Sequence, residues 1–124
     1  MKIIITASSP SIDADFDPRF GRGAYFLVID TETIQWEAFP NPGVNASGGA
    51  GTQAAQFVAE KMAEAVISGD FGPNAYPALN AAGVSMFLNK TNCSIRAVAE
   101  RFKAGELQQV SAPTASGPHH SLGR

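Results

Sequence analysis

The pattern of apolar and polar positions predicts five β-strands. Residues 2–7, KIIITA, form an almost unbroken β-branched run, which is typical of a strand buried on both faces. Residues 24–30, AYFLVID, predict a second strand, and the alternating segment 34–39, IQWEAF, predicts a half-exposed third strand joined to it as a hairpin. Short apolar runs at residues 65–68 and 84–88 predict strands four and five.

Three further segments predict helices. From Gly51 the apolar positions recur every three or four residues, as on one face of a helix. Asn74 can cap a second helix, which the sequence predicts to end at Gly83. A third helix follows the NKTN segment and ends before Gly105.

This element order, β-β-β-α-β-α-β-α, predicts an α/β fold with a five-stranded mixed sheet in the order 3-2-1-4-5 and three helices. The topology resembles a ribonuclease H-like motif. The β-α-β crossovers should be right-handed, with strands three, four and five parallel. If the second strand runs antiparallel to both neighbours, strands one, three, four and five all end at one edge. Four loops leave from that edge, where ligands bind in open α/β sheets: residues 8–22, 40–50, 69–73 and 89–92.

Length and composition suggest how the chain is organised. The 124 residues correspond to one domain, and we expect residues 1–107 to form it. We expect residues 108–124 to be a flexible tail, because the segment from Ser111 onward has almost no large apolar residues. The two histidines, His119 and His120, both lie in that tail. No serine–histidine or cysteine–histidine catalytic arrangement is therefore indicated, and we expect no enzyme.

The charge balance argues against some classes of partner. The net charge is −2 and only 16% of residues are charged, whereas nucleic-acid-binding domains usually have a strong basic excess. The apolar run at residues 3–5 is too short for a signal sequence or a membrane span. We therefore expect a cytoplasmic protein without nucleic-acid or membrane partners. Any anion site must come from local geometry.

A glycine-rich loop stands at the predicted start of the first helix. Gly48, Gly49 and Gly51 can expose successive backbone N–H groups, which favour an anion together with the helix dipole. The same glycines, with Asn45 and Ser47, are equally compatible with a loop that only turns the chain and caps the helix. Both interpretations stay open at the level of sequence.

Two nucleotide motifs can be tested against this loop. A P-loop ends in Gly-Lys-Ser/Thr, and the absence of lysine between Lys2 and Lys61 excludes it. Residues 49–54, GAGTQA, fit the dinucleotide pattern G-x-G-x-x-A, with Asp70 at a suitable distance. The loop before them is long and proline-containing, unlike the tight turn of that motif, so nucleotide binding is the third hypothesis.

Strand one carries no carboxylate, which argues against a two-metal nuclease.

Arginine and cysteine supply the other candidate chemistry. Arg19 and Arg22 flank Phe20 and Gly21, and two guanidinium groups beside a glycine suit an anionic ligand. The alternative is that both are surface arginines that form ion pairs with nearby aspartates. Cys93, the single cysteine, excludes an internal disulfide. It is a candidate ligand for a soft metal, or else a small buried apolar residue.

Four segments resemble the family of dinitrogenase iron–molybdenum cofactor biosynthesis proteins: DPRFGR, NPGVNASGGAGTQAAQ, GDFGPNAYPALNAAGV and RFKAGEL. The resemblance covers about residues 1–107 and implies a ribonuclease H-like fold. It also implies binding or carriage, without turnover, of an anionic metal–sulfur cluster such as a molybdenum–copper sulfide or an iron–molybdenum–sulfur precursor. Some relatives carry a histidine within the domain as a possible ligand, and this domain has none.

The cysteine count constrains how such a cluster would be held. Ordinary iron–sulfur clusters need about four cysteine ligands, so a cluster bound here must bring its own sulfides. Backbone N–H groups and arginines suit such an anion, with Phe20 and Phe71 as an apolar wall and Gly72 and Asn74 on the adjoining loop. The alternative is a small adaptor that uses the same edge to bind a protein partner such as an ATPase, without a cluster.

Overall fold

The computed structural model of the chain describes residues 1–114. The elements in chain order are β1 (Lys2–Ala7), β2 (Tyr25–Asp30), β3 (Trp36–Pro40), α1 (Ala50–Glu60), β4 (Ala65–Ser68), α2 (Ala75–Ala81), β5 (Ser85–Leu88), α3 (Ile95–Lys103) and β6 (Gln108–Gln109). Within this range no helix has the length and apolar character needed to cross a membrane. His119 and His120, and with them most of the predicted tail, lie outside the described residues.

One mixed sheet organises the fold, in the order β3-β2-β1-β4-β5-β6. β1 pairs in parallel with β4, and β4 pairs in parallel with β5. β2 is antiparallel to both β1 and β3. The α/β class, the three helices and the order of the first five strands are therefore confirmed. The carboxyl ends of β1, β3, β4 and β5 share one edge, termed the carboxyl edge below.

The prediction of a five-stranded sheet was wrong by one strand. Gln108–Gln109 form β6, which is antiparallel to β5 at the far side of the sheet. Two exposed glutamines show no apolar period, so only their backbone pairing defines this strand. The next residue, Val110, is buried and donates its N–H to Met86 O at 2.8 Å. The first residues of the segment expected to be a tail thus lie on the sheet.

Each face of the sheet carries its own core. α1 and α2 cover one face, where Phe26, Val66 and Leu79 are buried together with Ile4 of β1. α3 covers the other face, and both neighbours of Ile4 on β1 belong to the core beneath it. Because β1 is buried on both faces, its sequence is almost continuously apolar.

The helix ends follow local sequence at most positions. Ser94 caps α3, with its Oγ accepting a hydrogen bond from Ala97 N at 3.2 Å. Gly83 and Gly105 follow α2 and α3 with φ of 77° and 75°, the left-handed conformation that favours glycine there. Asn74 occupies the cap position of α2 as predicted, but its side chain makes no capping hydrogen bond.

Candidate functional site

The four loops of the carboxyl edge are tied together by hydrogen bonds. Gly69, after β4, donates its N–H to Pro18 O at 3.1 Å. Lys90, after β5, donates from Nζ to Gly69 O at 2.6 Å. Asn41, after β3, is buried and donates from Nδ2 to Phe20 O at 3.0 Å. The loop after β1 is therefore central and contacts the loops after β3 and β4.

Asp17 and Arg19 form a bidentate ion pair within this central loop. The buried Asp17 carboxylate accepts from Arg19 Nε at 3.0 Å and from Nη2 at 2.9 Å. Burial by itself raises the pKa of Asp17, but the hydrogen bonds and positive charge of Arg19 outweigh it and leave the pKa below its ordinary value. The Arg19 side chain is still 65% exposed. Its charge is held in place and largely balanced, while its outer surface faces solvent.

Arg22 differs from Arg19 because it bonds backbone carbonyls. Its Nη1 donates to Gly43 O at 3.2 Å and to Ala46 O at 2.8 Å. Within residues 1–114, no carboxylate lies at ion-pair distance from it. The Arg22 guanidinium therefore brings an unbalanced positive charge to the glycine-rich loop and braces that loop against the loop after β1.

Two glycines allow these loops to pack against the start of α1. A Cβ atom added at Gly43 would lie 2.5 Å from Gly21 O and 2.6 Å from Ala50 O. One added at Gly21 would lie 3.1 Å from Gly51 N. Gly51 itself faces α2, where an added Cβ would make ordinary contact with Ala75 at 3.4 Å. Close packing explains the absence of a side chain at Gly43 and Gly21.

The outer part of the glycine-rich loop is open to solvent. Nothing lies within 4 Å of a Cβ atom added at Gly48 or Gly49. Gly49 occupies the cap position of α1 with φ of 69°, and no side chain caps the helix. Asn45 and Ser47 are also exposed. In the described part of the chain, the backbone N–H groups of residues 47–52 make no hydrogen bond. Residues 47–49 are exposed, so their N–H groups are the ones open to an external acceptor, whereas Gly51 packs against Gly21.

The aromatic residues expected to form an apolar wall are buried in the core. Phe20 is 2% exposed and Phe71 is 0% exposed, and their ring centroids lie 5.5 Å apart. The rings anchor two loops to the core beneath α1 and α2. The Phe71 backbone also exchanges two hydrogen bonds with Thr114, each of 2.8 Å. Gly72 and Asn74 follow on the same loop, with Asn74 exposed at the start of α2.

Cys93 lies at the start of α3, on the other face of the sheet from Phe20. It immediately precedes the capping residue Ser94 and is partly buried against the core beneath α3. Its Sγ lies 3.6 Å from Thr91 O. Among residues 1–114, no three His, Cys, Asp or Glu side chains are grouped so that they could hold a metal ion. A ligand role for Cys93 remains a prediction.

The sequence analysis missed a pocket at the carboxyl edge. A cavity of about 470 Å³ lies between the loops after β1, β4 and β5, and Asp70, Asn89 and Lys90 line it. Burial raises the pKa of Asp70, and the nearby positive charge of Lys90 only partly opposes this effect. The available signal was that Asn89 directly follows β5 and Asp70 follows β4 by two residues. A larger cavity of about 630 Å³ lies at the opposite end of β2 and β3, away from these loops.

Comparison with known proteins identifies the family of the chain. A family described as dinitrogenase iron–molybdenum cofactor matches residues 1–105. The apo form of the orange protein from Desulfovibrio gigas superimposes with a TM-score of 0.86 at 36% identity, covering 91% of this chain and 95% of that one. A putative NifB protein from Thermotoga superimposes with a TM-score of 0.80 at 26% identity, covering 94% of this chain and 98% of that one.

One further relative is similar in sequence over most of its length. An uncharacterised protein of Methanocaldococcus jannaschii is 28% identical over 95 residues, which span 74% of this chain and 80% of the relative. The family match extends over nearly all of the described residues, from β1 to the end of α3. The chain therefore belongs to the dinitrogenase iron–molybdenum cofactor family.

Proposed function

We propose that this protein is a non-enzymatic carrier or scaffold for an anionic, molybdenum-containing metal–sulfur cluster. The observation that supports this function most directly is the run of free N–H groups at residues 47–52 beside the Arg22 guanidinium. Exposed N–H donors at a helix start and a nearby guanidinium together favour a diffuse anion. Family membership supports the class of cargo, which we propose to be a molybdenum–copper sulfide or an iron–molybdenum–sulfur precursor.

The proposed binding is largely non-covalent. The chain has one cysteine, whereas ordinary iron–sulfur clusters need about four, so the cargo brings its own sulfides. Those sulfides accept hydrogen bonds from the glycine-rich loop and from the outward-facing surfaces of Arg19 and Arg22. Gly72, Asn74 and Cys93 are further candidate contacts on neighbouring loops. Phe20 and Phe71 contribute by holding their loops in place, since both rings are buried.

Cluster uptake is the direct test of this function. Protein isolated from its native host should contain molybdenum and absorb visible light, and metal-free protein should take up tetrathiomolybdate with copper to give a coloured complex that survives gel filtration. Arg22→Ala should weaken uptake about tenfold, because a charged hydrogen-bonding group is lost. Arg96→Ala is the matched control, since Arg96 pairs with Asp13 beside α3. A colourless, metal-free protein that takes up no thiomolybdate with copper would rule the function out.

An adaptor function is the second candidate, and an exposed apolar residue favours it. Val44 is 38% exposed on the loop whose carbonyl groups bind Arg22, and arginine is enriched in protein interfaces. Under this function the edge binds a cytoplasmic protein partner such as an ATPase. The Arg19→Ala/Arg22→Ala double variant then loses that partner in a pull-down from native extract. Neither the double variant nor the unmodified chain forms a coloured complex.

A further inference from the structure

The cavity between the loops after β1, β4 and β5, termed the β4–β5 pocket, is separate from the glycine-rich loop. Its volume of about 470 Å³ falls in the range of small-molecule sites. Phe16 and Pro18 give it an apolar side, and Asp70, Asn89 and Lys90 give it a polar side. The proposed cluster function uses none of the three polar residues, so their arrangement calls for its own explanation.

Two acceptor side chains that line this pocket, Asn89 and Asp70, have oxygens that accept no hydrogen bond within residues 1–114. Asn89 is 1% exposed, and its Nδ2 is fixed by a hydrogen bond of 2.7 Å to Thr91 O. Its Oδ1 has no hydrogen-bond partner within the described residues. The half-buried Asp70 carboxylate likewise makes no hydrogen bond or ion pair within residues 1–114. A buried acceptor such as Asn89 Oδ1 is rarely left without a partner, and Asp70 adds a negative charge beside it, so this side of the pocket favours a ligand that supplies N–H donors.

Lys90 supplies the complementary charge on the same side of the pocket. Its Nζ uses one donor on Gly69 O at 2.6 Å, and an ammonium group has two more N–H bonds to offer. The charges of Asp70 and Lys90 balance, so the pocket has no net preference for a bare anion or a bare cation. A ligand that carries both charges matches this arrangement.

We propose that the β4–β5 pocket binds a free α-amino acid, with the ligand's ammonium group at Asp70 and Asn89 and its carboxylate at Lys90. The apolar side formed by Phe16 and Pro18 suits an uncharged side chain. Contact with the Asn89 Oδ1 requires the exposed turn at residues 90–92 to move, because this oxygen is covered in the present structure. This site requires no cluster and is independent of the proposed carrier function.

A panel of amino acids tests the ligand class. Each of the twenty L-amino acids is added to the full chain, and melting temperature and calorimetric heat are recorded. We expect a subset with uncharged side chains to raise the melting temperature. For L-leucine, isoamylamine lacks the carboxylate and N-acetyl-L-leucine lacks the ammonium group, and both should bind at least tenfold more weakly. Binding by none of the twenty, equal binding by the single-charge analogues, or binding of Mg²⁺ or Ca²⁺ alone at this site would overturn the proposal.

Matched variants test the residues. Asp70→Asn and Lys90→Gln should each weaken binding of the preferred amino acid at least tenfold, with unchanged circular dichroism. Glu37→Gln, beside the cavity at the opposite end of β2 and β3, should bind as the unmodified chain does. If Asp70→Asn and Lys90→Gln both retain full affinity, the pocket does not recognise a zwitterion.

Discussion

Single glycines at the carboxyl edge have different roles although they look alike in the sequence. Gly43 is closely surrounded by backbone carbonyl oxygens, whereas Gly48 has open space where a side chain would stand. The sequence left open whether the glycine-rich loop only turns the chain. The structure shows that Gly43, earlier in the same connection after β3, is required for packing, whereas Gly48 and Gly49 have open space around them.

Substitution of Gly43 and Gly48 should show which of these two glycines is required for close packing. Gly43→Ala places a methyl group 2.5 Å from Gly21 O and 2.6 Å from Ala50 O, where no flexible side chain can give way. We expect a loss of about 1–3 kcal/mol in the free energy of unfolding, measured by urea denaturation. Gly48→Ala, which meets nothing within 4 Å, is the control and should unfold within about 0.5 kcal/mol of the unmodified chain. Equal losses in the two variants would contradict this account of the loop.

The buried Asp17–Arg19 pair makes stability depend on acid pH. The folded-state pKa of Asp17 is lowered, so its contribution is present above the unfolded-state pKa of about 3.9 and is lost as pH falls through the lower folded value. Arg19→Ala removes the hydrogen bonds and the positive charge that lower the pKa of Asp17. Burial then raises this pKa without opposition from Arg19. We expect the midpoint of acid unfolding, followed by circular dichroism, to move to higher pH.

A second arginine provides the control for this pH effect. Arg96 makes a similar pair with Asp13, but both side chains are exposed. Solvent screens that pair, so Arg96→Ala should leave the acid midpoint almost unchanged. The prediction fails if the two variants unfold at the same pH.

At the scale of elements, the apolar pattern predicted all strands and helices whose side chains enter the core. It missed β6 because two exposed glutamines contribute no side chain to either face. The segment after β6 reaches the loop after β4, where Thr114 N donates to Phe71 O and Thr114 Oγ1 accepts from Phe71 N, each at 2.8 Å. This attachment fixes the end of the described chain against the carboxyl edge.

Hydrogen exchange can test this attachment. Thr114→Val removes the hydroxyl that accepts from Phe71 N while keeping a similar shape. The Phe71 amide should then exchange faster, and the free energy of unfolding should fall by about 1 kcal/mol. Ser111→Ala, at an exposed position of the same segment, is the control. Unchanged protection at Phe71 would show that the segment does not stay attached in solution.

At the scale of the whole molecule, the net charge does not favour the proposed anionic cluster. The chain carries a net charge of −2, so any attraction for an anionic cluster comes from the local N–H groups and from Arg22. Exposed charges are screened over about 8 Å at physiological ionic strength. Uptake of tetrathiomolybdate with copper should therefore weaken as sodium chloride rises, measured by absorbance titration at constant pH. Affinity that does not change with salt would point to a buried or covalent site.

The sequence by itself determined the α/β class, the order of the first five strands and the edge where the loops meet. Continuous apolar runs, helical spacing and the handedness of crossovers suffice for those features, because each depends on local pattern or general chain geometry. The single cysteine also limited how the proposed cluster could be bound.

Only the tertiary structure decided what individual residues do at that edge. It paired Arg19 with Asp17 and left Arg22 on backbone carbonyls. It buried Phe20 and Phe71, added β6, and formed the pocket around Asn89. These outcomes depend on contacts between segments that are distant in the chain. The local sequence of one segment does not indicate which distant segment it will contact. Local sequence therefore predicted the edge where the candidate site lies, and long-range packing determined how the side chains at that edge are arranged.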